Sequence, residues 1–358
     1  MLSIIIPIFE PPNLLKKSIG ILDIIKNKSI FAWSLEHLEK YSGKKRYYII
    51  STDKLISETH IDKIIKLYTH SEVDVVRLQK NTAGAPCAVL MGIDKYDLRD
   101  EFLITSPDQF IDTDLNIHID YFHKEESDGG TIGFKSIHSK WSYADLNKNN
   151  LITRIAEKVP ISNNALTSTY YFKNGKMMID ALSQNILRGE LTNDKYYIAP
   201  SFNELIIKNY KISYSKISSE KYYNFYSDDI KKDFINYLNS KEEILVKLTL
   251  KYFEYLKNKK FSDLRSLLSE KIIIKNSAGD DVCGISETLR YLEKKFSEKN
   301  KIITLHKISK NDDESTYCSY SLIFEENSYE CIDQIHFNNI SNKILKISRF
   351  SLIENEKI

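Results

Sequence analysis

From Met1 to about Tyr214, short apolar runs alternate with longer stretches whose apolar residues recur every three or four positions. Ser3–Ile8, Arg46–Ile50, Val73–Leu78, Glu101–Thr105 and Thr131–Phe134 belong to the first kind, which predicts β-strands. Ser34–Tyr41, Ile61–Tyr68 and Ala85–Lys95 belong to the second, which predicts helices. Strand and helix in alternation predict an α/β domain, with a mostly parallel sheet flanked by helices on both faces.

The pattern changes between about Tyr222 and Lys241, where the chain turns polar and strongly charged around Ser227-Asp228-Asp229. Beyond it, helical spacing over Glu243–Lys257, Phe261–Ser269 and Ile285–Glu298 brackets a strand-like Ile272–Lys275. Alternating segments Ile302–Lys307, Thr316–Glu325, Glu330–Asn338 and Lys343–Leu352 then follow. Helices first and strands last predict a separate α+β domain with a curved antiparallel sheet. The expected division is 1–225 for the first domain, 226–241 for a linker and 242–358 for the second, and 358 residues are enough for two cores.

Composition narrows the functions. Lys+Arg 51 against Asp+Glu 49 leaves a net charge of +2 with no basic stripe, which argues against nucleic acid as a partner. Met1–Ile8 is apolar but has no basic region before it and contains Pro7, so it is expected to be a buried strand rather than a signal peptide. No apolar run approaches the roughly 18 residues of a membrane span, and a cytoplasmic protein is expected. Cys87, Cys283, Cys318 and Cys331 form no C-x-x-C pair, so buried free thiols are expected.

Several segments carry candidate chemistry. Glu101–Thr105 delivers Ser106-Pro107-Asp108-Gln109 to a strand's carboxyl end, where open α/β sheets bind ligands. Asp108 is therefore placed to hold a Mg²⁺ bridging phosphate oxygens, although an Asp after a strand also serves as turn former or helix cap. Asp112 and Asp114 fit the capping role better. Asn81-Thr82-Ala83-Gly84-Ala85-Pro86-Cys87 joins a strand to a helix, and its small residues suit either close backbone approach to a ligand or a tight turn alone. His138-Ser139-Lys140-Trp141-Ser142-Tyr143-Ala144 and Ile155-Ala156-Glu157-Lys158 read as a pocket or as a hairpin with core aromatics and a surface ion pair.

These segments, with Thr167–Phe172 and Tyr196–Asn203, resemble in order the sugar-phosphate nucleotidyltransferases of capsule and lipopolysaccharide pathways. The resemblance implies a Rossmann-like, GT-A-like sheet, Mg²⁺ as cofactor, and a nucleoside triphosphate or nucleotide sugar plus a phosphorylated acceptor as partners. It implies that Pro7, Gly84, Ala85 and Ser106 meet the nucleotide, and that Tyr143, Glu157, Lys158 and Thr169 meet the acceptor. Asp108 and Lys158 are then the catalytic residues, and Asp108 with Asn203 the metal ligands. Asn203 serves equally as a loop hydrogen-bonding residue.

The chain departs from this family at the first loop. A glycine-rich G-x-G-x-R segment is usual, whereas Phe9-Glu10-Pro11-Pro12-Asn13 stands here, with two donors missing and a negative charge added. Gly20 stands at the position of a family lysine, with Lys16 and Lys17 nearby. A glycosyltransferase using a nucleotide sugar, or a nucleotide-sugar-binding partner without turnover, are therefore competing expectations. No D-x-D triplet follows the strand at Asp108, the nearest being Asp112-Thr113-Asp114.

In the second domain, Phe253, Tyr255, Leu267-Leu268-Ser269 and Gly284-Ile285 resemble the cone-shaped nuclear transport factor 2-like and SnoaL-like proteins. That resemblance implies a module for a homodimer, or a second site drawing on Asp280, Asp281, His306 and His336.

Overall fold

The computed structural model describes residues 1–9, 20–276, 280–297, 302–312, 314–324, 327–338 and 341–354. Glu10, Pro11, Pro12, Asn13, Lys16 and Lys17, and the expected element ends Glu298 and Glu325, lie outside them. The chain divides into two compact units, Met1–Lys232 and Asp233–Ile358.

The first unit begins with β1 (Leu2–Pro7), a small hairpin of β2 (Ile24–Ile25) and β3 (Lys28–Ser29), and α1 (Ile30–Glu39). β4 (Lys45–Thr52), α2 (Asp53–Thr59), α3 (Ile61–Tyr68), β5 (Glu72–Leu78), α4 (Ala85–Leu90) and β6 (Glu101–Thr105) follow. Then come β7 (Gln109–Ile111), α5 (Leu115–Lys124), β8 (Gly129–Lys135), β9 (Ser142–Leu146), β10 (Ile152–Glu157) and β11 (Asn164–Phe172). α6 (Gly175–Arg188), α7 (Ser201–Ile207), β12 (Ile212–Lys216) and β13 (Tyr222–Asn224) complete it.

β6, β1, β4 and β5 pair in parallel in that order, and β11 joins β6 antiparallel and continues the sheet through β9 to β10. β1 is buried along its whole length because its two faces serve different cores. Ile5 packs with Tyr48, Phe102 and Phe172 on one side, while Ile4 and Ile6 pack with Tyr47, Ile49 and Leu103 on the other. That two-sided burial is why the first strand reads as an apolar run, and its polar residue, Ser3, is buried with its hydroxyl donating to Asp100 at 2.9 Å. Gly92 interrupts the expected helix 85–95, leaving α4 and a separate 3₁₀ turn at Ile93–Lys95.

Two buried histidines lie on the α1 and α5 side of this sheet. His118 bonds Ser215 Oγ through Nδ1 and Thr113 Oγ1 through Nε2, both at 2.8 Å. His37 has no partner for either ring nitrogen among the described residues. Burial, with His118 as the next cause, pushes His37 down to about 3, and burial pushes His118 down to about 4. Both folded-state values lie below the ordinary 6.5, so the unfolded chain binds protons first as pH falls. Stability is therefore expected to be lost progressively from about pH 6.5 toward pH 3, and His37→Gln should flatten that decline in pH-dependent denaturation.

The second unit holds most of α8 (Asp228–Lys257), α9 (Phe261–Leu264), β14 (Leu268–Asn276), β15 (Val282–Cys283), α10 (Ile285–Phe296), β16 (Ile302–Asp312), β17 (Ser315–Phe324), β18 (Asn327–Phe337) and β19 (Ile344–Glu354). Its sheet runs β15-β14-β19-β18-β17-β16 and is antiparallel except where β14 meets β19. Residues 228–241 of the expected linker are helical, the first turns of α8, which buries Phe234 and Leu238 at helical spacing despite its charged surface, and the division between the units falls within them. Cys283 is exposed rather than buried, Cys87 is half-buried, and Cys318 and Cys331 are buried free thiols. Among the described residues no helix is long and apolar enough to cross a membrane.

Candidate functional site

A cavity of about 600 Å³ opens over the carboxyl ends of β1 and β6 in the first unit. Pro7, Ile8 and Phe9 leave β1 along one wall, Ser106-Pro107-Asp108 leaves β6 along another, and Ser168 and Tyr170 of β11 face them. Leu55, Glu58 and Thr59 of α2, Gly20-Ile21-Leu22, and Ala85, Tyr197 and Ile198 complete the lining. Its wall is chiefly apolar, the carboxylates of Asp108 and Glu58 are its acids, and no Lys or Arg belongs to it among the described residues.

Asp108 receives the Ser106 hydroxyl on Oδ1 and, through its carbonyl, the Phe225 N–H at 2.9 Å. It forms no ion pair among the described residues, and burial raises its pKa above the ordinary carboxylate value despite the Ser106 bond. A desolvated carboxylate without a cation is a group that gains from a divalent ion. Gln109 locks the turn in place. Its Nε2 donates to Thr105 Oγ1 at 2.9 Å, Thr169 Oγ1 at 3.0 Å and the Ser168 carbonyl at 3.2 Å, while its Oε1 accepts the Ser168 N–H at 3.1 Å.

Thr169, Tyr143 and Asn203, expected in the site, make other contacts. Thr169 faces this buried Gln109 cluster, and the alternation of β11 turns Ser168 to the cavity instead. Tyr143 is fully buried, with its hydroxyl donating to the His138 carbonyl at 2.7 Å, so it is a core aromatic of the hairpin. Asn203 spends both ends of its amide on one residue, accepting from the Ile155 N–H and donating to the Ile155 carbonyl, each at 2.9 Å. It ties α7 to β10, a packing role that occupies both ends of the amide. The expected late strand around Tyr196 is a single bridge to Gly84, followed by α7.

Gly84 is required by that bridge. Its φ is +144°, and a Cβ there would lie 2.1 Å from the Tyr196 carbonyl oxygen and 2.8 Å from the Tyr196 nitrogen. The close backbone approach predicted for Gly84 is thus to Tyr196, which in turn sets Tyr197 and Ile198 in the cavity wall. Gly84→Ala is expected to destabilise the chain by about 1–3 kcal/mol, read as a lower urea midpoint, because both φ and contact are violated.

Lys158 and Glu157 lie beside the Tyr197 end. Lys158 Nζ donates to the Tyr197 hydroxyl at 2.7 Å and sits 4.5 Å from its ring centroid. Its φ of 57° is left-handed, a conformation costly for a non-glycine residue, and its N–H donates to the Trp141 carbonyl at 3.1 Å. Glu157 accepts the Ser142 hydroxyl, and burial raises its pKa. Asp114 is the helix cap expected of it, accepting the Asn116 N–H at 2.9 Å.

Sequence reasoning missed Glu58, Ser168, Tyr170, Tyr197 and the pairing of β13 with β7, which sets Asn224 opposite Gln109, one residue from Asp108. The aromatic run Tyr222-Tyr223-Asn224-Phe225-Tyr226, an apolar island before a charged stretch, was the available signal. Among the described residues no cluster of three or more His, Cys, Asp and Glu is placed to hold a metal.

No curated protein sequence matches the chain. Among solved structures, a nucleoside-diphosphate-sugar pyrophosphorylase from Vibrio cholerae RC9 is similar at 20% identity and a TM-score of 0.55, over 66% of this chain and 100% of that one. A UDP-glucose pyrophosphorylase complexed with UDP-glucose is similar at 16% identity and a TM-score of 0.54, over 67% and 98%. A UDP-glucose pyrophosphorylase from Acinetobacter baumanii follows at 14% and 0.51, over 67% and 93%. At such identities the likeness concerns the fold. Residues 16–211, more than half of the chain, match the family model described as nucleotidyl transferase, and the chain belongs to that family.

Proposed function

We propose that the chain activates a sugar or polyol phosphate, as the nucleotide sugar needed for surface polysaccharide assembly in the cytoplasm. An oxygen of the acceptor phosphate attacks the α-phosphorus of a nucleoside triphosphate in line; the new P–O bond forms as the bond to pyrophosphate breaks. The observation that carries this is Asp108, a desolvated carboxylate without a cation partner among the described residues, at the carboxyl end of a parallel strand in a cavity. Mg²⁺ held there would neutralise the charge that gathers on the phosphates. Asn224 replaces Asn203 as the neighbouring oxygen donor, since β13 sets it beside the Asp108 turn. Lys158 and Glu157 serve the acceptor end, and Pro7, Ala85 and Ser106 the nucleotide end.

A second reading, a glycosyltransferase or a nucleotide-sugar-binding partner without turnover, is favoured by one feature. The cavity wall has no Lys or Arg among the described residues, and Gly20 contributes backbone where a lysine is usual. A nucleoside diphosphate carries less charge to neutralise than a triphosphate. We read the second unit as nuclear transport factor 2-like and assign it to homodimerisation. Its Asp280, Asp281 and His306 are exposed, which argues against a second acid–base site there.

Incubation with each nucleoside triphosphate, Mg²⁺ and a panel of sugar phosphates tests the proposal. Release of pyrophosphate that requires both substrates is expected. Saturable binding of a nucleoside diphosphate sugar without any release would establish the second reading instead.

A further inference from the structure

Behind the cavity wall stands a cation that does not itself belong to the lining. Lys158 follows β10 directly, and its ammonium reaches Tyr197, which does line the cavity. The ammonium donates to the phenolic oxygen at 2.7 Å and lies 4.5 Å from the ring centroid. Both ends of this contact are held. The Tyr196 N–H donates to the Ala83 carbonyl at 2.9 Å, and Asn185 Nδ2 donates to the Tyr197 carbonyl at 3.0 Å, which fixes the backbone that carries the ring. On the other side, the bond from the Lys158 N–H to the Trp141 carbonyl, 3.1 Å, holds the left-handed backbone of the lysine. Tyr197 and Lys158 are both half-buried, so neither long side chain is a loose surface group.

A phenol has one proton to give and lone pairs that accept, whereas an ammonium only donates. Lys158 therefore occupies a lone pair of the Tyr197 oxygen and leaves its proton to another group, and among the described residues none takes it. A hydroxyl that accepts from a cation gives its own hydrogen more readily, and its bond to an anionic oxygen is stronger than one to a neutral acceptor. We infer that Tyr197, held and polarised by Lys158, donates its hydroxyl to the phosphate of the acceptor. Lys158 is then a positioning residue, acting on that phosphate through Tyr197 rather than by touching it. This rests on the nucleotidyl-transfer reading and names the group that holds its acceptor.

The test is equilibrium binding of hexose, pentose and glycerol phosphates and of inorganic phosphate to the full chain, in a double-mutant cycle of Tyr197→Phe and Lys158→Met. For the phosphate that wild type binds best, each single variant should weaken affinity about tenfold, and the double variant no more than either alone. Lys158→Arg, which keeps a cationic donor for the Tyr197 oxygen, should recover most of the affinity lost in Lys158→Met. Undiminished affinity in Tyr197→Phe, a loss of about a hundredfold in the double variant, a loss that spares inorganic phosphate, or no binding of any panel member would each overturn the inference. The hundredfold loss would mean that Lys158 meets the phosphate directly. Nucleotidyl transfer is read separately, as pyrophosphate release by wild type: release with a hundredfold loss in the double variant would keep that reading and sink this inference, and the expected cycle without release would do the reverse.

Discussion

Asp108→Asn is expected to lower pyrophosphate release by at least about 10²–10³-fold while raising the Tm of the ligand-free protein. The two effects have one cause. Burial raises the pKa of Asp108, which means that the folded state disfavours the charged carboxylate. For an acid whose folded pKa is raised, the penalty is absent below the ordinary carboxylate range and accrues as pH rises through it to the folded value. At pH 7 it is present in full, and Asn removes it without changing the shape of the turn. The gain in Tm should therefore shrink toward pH 3. Bound divalent ion offsets the same penalty, so Mg²⁺ should stabilise wild type and leave the Asn variant unmoved in thermal melts. A lowered Tm at pH 7, or undiminished release, would make Asp108 a structural turn residue.

Arg349→Met is expected to cost about 3–5 kcal/mol of stability in the second unit. Arg349 is 4% exposed and Asp333 0%, and the guanidinium engages the carboxylate through Nε at 2.9 Å and Nη2 at 2.7 Å. Tyr320 adds its hydroxyl at 3.3 Å to each carboxylate oxygen. Removing the cation leaves the buried carboxylate, among the described residues, with that hydroxyl. Replacing both, as Asp333→Leu with Arg349→Met, should restore much of the loss, because a pair's desolvation disappears with it. Both tryptophans, Trp33 and Trp141, belong to the first unit, so tryptophan fluorescence reports that unit while far-ultraviolet circular dichroism reports both. The denaturation midpoint should fall by dichroism and much less by fluorescence. Equal stability of the single variant would mean that Asp333 is solvated.

The place of Asp108 just past the end of β6 was legible because its signal is local: an apolar strand, then a turn with a proline and an acid. Asn203 and Tyr143 were misplaced because the same signals, a polar residue near a helix start and an aromatic in a hairpin, serve packing as readily. What distinguishes them is who takes their hydrogen bonds. Ile155 takes both ends of Asn203, and the His138 carbonyl takes the hydroxyl of Tyr143. Thr169 and Ser168 illustrate the same limit, since a shift of one residue in a strand exchanges cavity and core.

The sequence by itself determined the alternation of elements in the first unit, the change of plan after Tyr214 and the position of the acid at the end of β6. Those follow from periodicity and turn chemistry, which act over a few residues. Only the tertiary structure decided that Glu58, Ser168 and Tyr197 share a cavity with Asp108, that β13 returns to the same turn, and that α8 begins where a linker was expected. Each depends on contacts between segments distant along the chain, and no local pattern encodes which of several chemically suitable partners will arrive.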